Sequence, residues 1–170
     1  MTDTSLRADC ARCAALCCVA FAFEATEAFG DDKAAAEPCG HLTACGRCAI
    51  HAVRAERGYG GCVGYDCHGA GPWVLQALFG GRSWRDDPAL LEPMSRAFVT
   101  VERTHATLLL LRQARTMSLS DAELELLTDI EATLEADRAS PGRSAAAIRQ
   151  AHGFIRSLRG RLSPCQIGTE

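Results

Sequence analysis

The chain has 170 residues, a formal net charge of −3 at neutral pH and ten cysteines. Its length suits one domain or a small module with an appendage, and its mild negative charge excludes the basic surface typical of nucleic-acid binders. Residues 1–9 lack the basic and apolar stretches of a secretory signal, and the longest aliphatic run, residues 108–111, is far too short to cross a membrane. We therefore expect a cytoplasmic protein with reduced thiols that contacts neither nucleic acid nor membrane.

Nine of the ten cysteines lie in the first 67 residues, which is not the distribution of ordinary core cysteines. Five disulfides would require an oxidising compartment, so metal ligation is the favoured interpretation. Thiolates are soft ligands, and all-sulfur sites suit Zn²⁺ or an iron–sulfur cluster such as 4Fe-4S. With four thiolates at each site, nine would serve two sites and leave one over. The predicted metal ligands are Cys10, Cys13, Cys17, Cys18, Cys39, Cys45, Cys48, Cys62 and Cys67.

Residues 10–18 are rich in alanine and predict a helix, on which Cys10, Cys13 and Cys17 would share one face. Cys10 and Cys17 would then lie about 10 Å apart along the axis, too far for one zinc ion with sulfur ligands at about 2.3 Å. Either the segment is not a regular helix, or its ligands serve a larger cluster, or they divide between two sites. Cys18 would point about 100° away from Cys17, so this adjacent pair is not expected to bind one ion from a regular helix.

The segment Cys45-Gly-Arg-Cys48 is typical of a metal knuckle, in which glycine permits a tight turn and both thiolates face one ion. Neither Cys-x-x-Cys pair has the strand-to-helix context of a thioredoxin-like motif, and neither precedes the histidine needed for covalent haem attachment. Three histidines near the cysteines are alternative ligands, although a supporting or surface position is favoured for each. These are His41, His51 and His68.

Three further elements are predicted in the first half of the chain. Residues 19–23 alternate small and large side chains, which indicates a short strand or an extended piece. Residues 49–57 are interpreted as a short helix that ends at a glycine run. Pro72 is predicted as the first residue of a helix that continues through the apolar residues 73–79. Gly80 and Gly81 are predicted to end this helix.

The composition changes over residues 82–88, and we expect a domain boundary there. The predicted parts are a cysteine-rich metal module over residues 7–82, a helical lobe over 88–162 and a tail over 163–170 with Cys165 as a free thiol. The predicted fold class is mainly α, with an irregular cysteine-rich metal-binding module followed by a three-helix bundle-like lobe.

Apolar residues repeat at helical spacing in three segments of the lobe. The first stripe consists of Met94, Phe98, Val101, His105, Leu108 and Leu109. The second consists of Leu124, Leu127, Ile130 and Leu134. The third, beyond a break at residues 140–142, consists of Ile148, Ala151, Ile155, Leu158 and Leu162.

Two polar features accompany these stripes. Ser120 and Glu123 predict a capping box at the start of the second helix, and acidic second and basic third helices favour packing side by side. His105, on an apolar stripe, is interpreted as a core histidine, with docking against the metal module as the alternative.

The cysteine array resembles a known family of zinc- or iron-chelating domains with a CxxCxxxCC signature, the YkgJ type. The resemblance rests on that signature at residues 10–18, Pro-Cys-x-x-Leu at 38–42, Cys-x-Ile-His-x-x-Arg at 48–54 and Cys-x4-Cys at 62–67. It covers roughly residues 7–80 and implies bound zinc or an iron–sulfur cluster. The chain also resembles actinobacterial members often labelled pentapeptide-repeat proteins, but it has no such repeat, so no repeat-based function carries over.

We therefore expect a metal-binding protein that holds an iron–sulfur cluster or zinc and acts as a redox or accessory protein with a protein partner. One alternative is a zinc-only structural or chelating protein. Another is a metal-dependent enzyme that modifies proteins or peptides, since some proteins with a similar cysteine module are flagellin lysine methylases. An open coordination position would favour the enzyme, and a closed ligand set a structural or electron-carrying role.

Overall fold

The computed structural model describes residues 6–138 and 144–161, and over these residues the protein is mainly helical without a β-strand. The predicted fold class is confirmed, including the irregular cysteine-rich region. In this described part of the chain the α-helices are α1 (Cys17–Ala20), α2 (Gly60–Gly64), α3 (Ala70–Trp73), α4 (Leu91–Ala114), α5 (Asp121–Arg138) and α6 (Ser144–Ser157). A π-helical turn over Val74–Leu78 extends α3, and short 3₁₀ turns occur at Cys10–Arg12, His51–Val53, Pro88–Leu90 and Arg159–Arg161. No helix among the described residues is long and apolar enough to cross a membrane.

The chain divides into two compact units, residues 1–106 and residues 107–170. The division falls inside α4, whereas the change in composition indicated a boundary over residues 82–88. The difference arises because the first half of α4 contributes buried side chains to the core of the first unit. These side chains are Met94, Phe98 and Val101.

The core of the first unit joins segments that are far apart in the sequence. Leu16 before α1, Val74 after α3 and Phe98 of α4 are all 0% exposed and belong to one cluster. Burying each of these side chains stabilises the unit by about 1.5–3 kcal/mol. The indole Nε1 of Trp84 donates a hydrogen bond to the Ala14 carbonyl at 2.7 Å, which fixes the connection before α4 onto the same core.

Residues 10–18 do not form the predicted continuous helix. A 3₁₀ turn over Cys10–Arg12 ends at Cys13, and α1 begins only at Cys17. Between them Ala15 has a φ of 55°, a left-handed conformation that costs about 1–2 kcal/mol and interrupts a right-handed helix. Of the three alternatives for this segment, the first is therefore correct: it is not a regular helix.

Of the short strand or extended piece predicted over residues 19–23, the strand is not formed, whereas the backbone is extended at Phe21, with φ −88° and ψ 141°. Helix α1 continues to Ala20, and Phe23 forms an isolated antiparallel bridge with Lys33. Phe23 and Lys33 exchange both backbone hydrogen bonds, at 3.0 and 2.8 Å. The alternating pattern therefore reflects packing of single aromatic side chains rather than a pleated strand.

The helix predicted over residues 49–57 is reduced to the 3₁₀ turn His51–Val53. The helix predicted to start at Pro72 begins two residues earlier, at Ala70, because Gly69 turns the chain there with a φ of 77°. Both glycines predicted to end this helical segment have positive φ, which confirms its end.

The predicted capping box opens α5 in the second unit. The Ser120 backbone N donates to Glu123 Oε2 at 2.8 Å, and the Glu123 backbone N donates to Ser120 Oγ at 3.4 Å. Three of the four predicted apolar residues of α5 are buried, whereas Leu124 is 41% exposed. The buried residues are Leu127, Ile130 and Leu134.

Helices α5 and α6 pack against each other, as predicted. The acidic residues Glu131 and Glu135 of α5, however, pair with Arg115 and Arg112 near the end of α4, at 2.5 and 3.1 Å. Of the predicted stripe on the third helix, Ala151 and Leu158 are buried, whereas Ala147 and Phe154 are buried in place of Ile148 and Ile155. The buried face of α6 and the turn after it consists of Ala147, Ala151, Phe154 and Leu158.

Ile148 and Ile155, which the predicted stripe included, are half-buried beside this face. The predicted break at residues 140–142, Leu162 and Cys165 lie outside the described residues.

Candidate metal centre

Nine cysteines lie within the described residues, all in the first unit and all as free thiols. Seven are half-buried, whereas Cys10 and Cys45 are exposed. Within the part of the chain that the structure describes, no group of three or more Cys, His, Asp or Glu side chains is already placed to hold a metal ion. Eight of the thiols can nevertheless be assigned to two groups of four, with Cys45 apart, from the segments that pack together and from the influence of the thiols on one another.

The first thiol group consists of Cys10, Cys13, Cys17 and Cys67. The 3₁₀ turn that starts at Cys10 packs against α3, and the Cys67 carbonyl accepts a hydrogen bond from the Ala70 N of that helix at 2.9 Å. Cys13, Cys17 and Cys67 all pack against the hydrophobic core. Cys13 lies so close to Gly71 that a Cβ at position 71 would be 2.3 Å from the Cys13 Sγ.

The thiols of the first group act on one another electrostatically. The pKa of Cys13 is raised to about 11, chiefly by burial and further by the thiols of Cys67 and Cys10. Burial raises the pKa of Cys10, and the thiols of Cys67 and of Cys18, which belongs to the second group, raise it further. The pKa of Cys17 is raised by its contact with Cys18 and by burial, with Cys13 and Cys67 adding to the effect. Anionic sulfur in this group therefore needs a nearby positive charge.

The second thiol group consists of Cys18, Cys39, Cys48 and Cys62. The backbone N of Cys39 donates to the Cys18 carbonyl at 2.9 Å, which joins two of these segments directly. The backbone N of Leu42 donates to the Cys39 carbonyl at 2.9 Å, and Leu42 forms an isolated bridge with Cys48. These hydrogen bonds bring three of the four thiol-bearing segments together.

The electrostatic influences in the second group connect all four thiols. Burial raises the pKa of Cys62, and the thiols of Cys18, Cys39 and Cys48 raise it further. Burial also raises the pKa of Cys39, and Cys18 and Cys48 again contribute. These influences fall with distance, so they link the four thiol-bearing segments, although no three of the side chains are already placed to hold a metal ion.

The two groups meet at the adjacent cysteines of α1. The Sγ atoms of Cys17 and Cys18 are 3.9 Å apart. This contact lowers the pKa of Cys18 to about 7, and it raises the pKa of Cys17. The two sulfurs thus lie close together, and Cys18 acts on Cys39 and Cys62 of the second group and also on Cys10 of the first.

Cys45 differs from the other thiols of the array. It is exposed, its Sγ lies 3.1 Å from the Thr43 Oγ1, and that contact lowers the pKa of Cys45. It stands in a turn in which Gly46 has a φ of 76°, while Cys48, three residues after Cys45, is half-buried and acts on the second group. Of the nine predicted ligands, Cys45 has the least structural support.

Lys33 is a buried cation beside the second group, and the sequence analysis assigned it no role. Its side chain is 8% exposed, and its Nζ donates to the carbonyls of Val19, Ala34 and Glu37 at 3.0, 2.9 and 2.8 Å. The Nζ also lies 5.5 Å from the centre of the Phe23 ring. The sequence feature that could have drawn attention to this residue is composition, since Lys33 is the single lysine among 18 basic residues.

The position of Lys33 links it to two thiols of the second group. Its charge lowers the pKa of Cys18 and of Cys39, against the effect of burial on both. Burial lowers the pKa of Lys33, whereas Cys39, Glu37 and Cys18 raise it. Since Val19 follows Cys18 and Glu37 lies two residues before Cys39, Lys33 also holds the two thiol-bearing segments together.

Arg54 is a second cation near the thiols. Its Nη1 donates to the Cys62 carbonyl at 2.7 Å, and its Nε donates to the His51 carbonyl at 3.0 Å. Its charge acts to lower the pKa of Cys62, Cys18 and Cys10. Arg54 therefore adjoins both thiol groups.

The histidines near the array make hydrogen bonds that orient the thiol-bearing segments. The Tyr59 hydroxyl donates to the Asp31 carboxylate, so its oxygen accepts the hydrogen bond from His41 Nε2 at 3.0 Å. Burial and Asp31 raise the pKa of Tyr59, so this phenol remains neutral. His51 is exposed.

His68 and His105 are joined beside Cys67. His105 is 0% exposed, and its Nδ1 donates to the His68 carbonyl at 2.7 Å, while its ring lies edge-on to Trp73. His68 has a φ of 47°, and its backbone N donates to the Asp66 carboxylate at 2.7 Å. His105 is thus a core histidine, as expected, and it fixes the backbone that follows Cys67.

Replacing Lys33 is expected to destabilise the first unit selectively. In Lys33→Met the three carbonyls lose their buried donor, which should lower the free energy of unfolding by about 1–3 kcal/mol. Both tryptophans, Trp73 and Trp84, lie in the first unit, so tryptophan fluorescence during guanidinium denaturation measures that unit alone. The control is Arg57→Met at an exposed position, with an expected change below about 0.5 kcal/mol. Equal transitions for both variants would contradict a stabilising role for Lys33.

Comparison with known proteins adds one relative. No sequence profile of a known protein family matches the chain, and no solved structure matches it. The chain is 35% identical over 115 residues to the uncharacterized protein YybG of Bacillus subtilis strain 168. The match spans 68% of this chain and 41% of YybG, so the chain covers less than half the length of this curated relative.

Proposed function

We propose that this protein binds metal through the thiols of its first unit, as an iron–sulfur cluster of the 4Fe-4S type or as zinc, in a redox or accessory role. The observation that carries this proposal is that nine free thiols lie in one unit. Three of them pack against one core, and backbone hydrogen bonds join the segments that carry three others. Isolated buried cysteines pack as small apolar side chains, whereas grouped thiols raise one another's pKa and gain from a shared cation.

The donor set fits soft metals. Sulfur ligands suit zinc and iron–sulfur clusters, whereas Mg²⁺ and Ca²⁺ take oxygen ligands. Four thiolates around Zn²⁺ leave a net charge of about −2, as do four thiolates around an oxidised 4Fe-4S cluster. Lys33 and Arg54 adjoin the thiols and would offset part of that charge.

The residues around the thiols would hold the ligand segments and limit access of water. When bound, an iron–sulfur cluster supplies one-electron transfer, and zinc supplies a structural cross-link. Phe98 and Val74 form the dry core against which Cys13, Cys17 and Cys67 pack. Hydrogen-bonded residues around ligands fix their orientation and tune the metal, and the bonds of Lys33, Arg54 and His105 would serve this purpose.

The resemblance to the CxxCxxxCC family supports the same chemistry, because that family is associated with zinc or iron. A reducing cytoplasm would keep the thiols available for metal. An electron-carrying or accessory role would require a protein partner, which the exposed side of the array near Cys10 could approach.

The protein purified without oxygen is expected to contain iron or zinc. Elemental analysis, acid-labile sulfide and the absorption spectrum would distinguish the two metals, since iron with sulfide and a brown colour indicates a cluster and a colourless zinc protein indicates zinc. Titration of thiols before and after acid denaturation should show that most cysteines are protected in the native protein. The absence of both metals, with all thiols reactive in the folded protein, would contradict the proposal.

A further inference from the structure

We infer that the first unit holds two separate four-thiolate metal centres, one formed by the first thiol group and the other by the second, with Cys45 in neither. This inference rests on the proposed binding of metal by thiolates, and it adds the number of centres and their ligand sets. The ligands of the first centre are Cys10, Cys13, Cys17 and Cys67. The ligands of the second are Cys18, Cys39, Cys48 and Cys62.

The first centre is defined by the break in the N-terminal segment. Because Ala15 interrupts the helix, Cys10 and Cys17 are not held about 10 Å apart along one axis. The turn at Cys10 instead packs against α3, where Cys13 contacts Gly71, and Cys67 lies three residues before the start of that helix. The segment that carries three of the thiols thus packs beside the helix that follows the fourth.

The second centre is defined by backbone hydrogen bonds between loops. Cys39 bonds to the carbonyl of Cys18, and the bridge between Leu42 and Cys48 folds the next loop back onto Cys39. The Cys62 backbone N donates to the Tyr59 carbonyl at 3.0 Å. Tyr59 in turn contacts His41, which lies two residues after Cys39. The segment that carries Cys62 therefore packs beside the segment that carries Cys39.

The adjacent cysteines of α1 divide between the two centres. Successive side chains of a helix diverge by about 100°, so Cys17 and Cys18 can face different groups although their sulfurs are 3.9 Å apart. The centres are therefore neighbours, and their surroundings differ. The first lies against the apolar core, whereas the second lies beside the ammonium group of Lys33.

Cadmium is a suitable probe of the ligand sets, because it replaces zinc in thiolate sites and its ¹¹³Cd resonances report each centre separately. The full-length, reduced, metal-free protein is titrated with ¹¹³Cd²⁺ and observed by NMR and native mass spectrometry. We expect about two cadmium ions per chain and two resonances, since each centre has four sulfur ligands. Cys13→Ser should remove the first resonance and Cys48→Ser the second, while Cys45→Ser should retain both.

Gly71→Ala tests the first centre without changing any sulfur. Its Cβ would collide with the Cys13 Sγ, so the variant should lose or shift the first resonance and leave the second unchanged. Gly64→Ala is the matched control, because Gly64 also lies in a helix but has no atom within 4 Å of an added Cβ. Tryptophan fluorescence and circular dichroism confirm that each variant is folded.

The outcomes separate this inference from the proposed function. Loss of both resonances in every single-cysteine variant indicates one shared cluster, and a single cadmium ion per chain indicates one centre; either result overturns the two-centre inference while metal binding stands. Loss of a resonance in Cys45→Ser overturns the assigned ligand sets. Failure to bind cadmium, together with no metal in the purified protein, overturns the proposed function as well.

Discussion

If the first unit binds metal as proposed, removal of that metal is expected to unfold this unit and leave the helices of the second unit folded. The metal would then join thiols from several loops of residues 10–68, and few regular elements would hold those loops without it. Apparent binding free energies of structural zinc are about 10–16 kcal/mol, as large as the whole stability of a typical domain at about 5–15 kcal/mol. The second unit has its own apolar core and ion pairs.

The experiment is an anaerobic treatment of the protein with an iron or zinc chelator, followed by amide hydrogen exchange and tryptophan fluorescence. Amides of residues 10–80 should lose protection, and the emission of Trp73 and Trp84 should shift to the red. Amides around Leu127 and Leu134 in α5 should remain protected. The first half of α4 should fray, because Phe98 loses the core against which it packs.

Two controls accompany the chelation experiment. Addition of the same metal should restore the original exchange pattern. Metal-free protein whose thiols have been alkylated should not recover when the metal is added. Loss of protection in α5 at the same chelator concentration would show that the chain unfolds as one unit. Retention of protection throughout residues 10–80 would show that metal does not stabilise the fold.

The helices of the C-terminal half could be predicted from the sequence because their determinants are local. Met94, Phe98, Val101, His105 and Leu108 recur at helical spacing, and all five are fully buried. The capping box likewise depends on two residues three positions apart. On α6 and the turn after it, Ala151 and Leu158 are buried as predicted, whereas Ala147 and Phe154 replace their neighbours Ile148 and Ile155, because apolar residues occupy both sets of positions.

The cysteine-rich half was harder to predict because its conformation depends on contacts between distant segments. The alanine-rich residues 10–18 favour a helix locally, yet Ala15 adopts a left-handed conformation that local propensity does not predict. The spacing of the cysteines indicated which side chains are grouped in the sequence. It could not indicate that the backbone of Cys39 bonds to the carbonyl of Cys18, since that depends on the path of residues 39–67.

Lys33 and Cys45 also show that local sequence does not predict which side chains the fold buries. Lys33 carries no motif, and its importance arises from three carbonyls that the fold brings around its Nζ. Cys45 belongs to a recognisable Cys-x-x-Cys motif, but the fold leaves it exposed beside Thr43. A local motif was thus a weaker guide to the candidate centre than the tertiary contacts.

Truncation of Phe98 is expected to give the largest destabilisation of any single core substitution in the first unit. Its side chain is 0% exposed, and its ring lies 5.6 Å from that of Phe21 in an edge-on arrangement. Phe98→Ala removes a large buried ring and leaves a cavity, which should lower the free energy of unfolding by about 3–5 kcal/mol. Because Cys13 and Cys17 pack on the same core, the variant should also release metal faster to a chelator.

The matched control is Leu134→Ala, at a position of α5 that is also 0% exposed and belongs to the second unit. This substitution should cost about 2–5 kcal/mol, and the loss should fall on the second unit. Guanidinium denaturation followed by tryptophan fluorescence should therefore shift strongly for Phe98→Ala and little for Leu134→Ala, whereas protection of α5 amides should show the reverse order. Metal release should accelerate only in Phe98→Ala. Equal shifts of the tryptophan transition in the two variants would mean that the two compact units unfold together, and unchanged metal release in Phe98→Ala would mean that the core does not support the thiols.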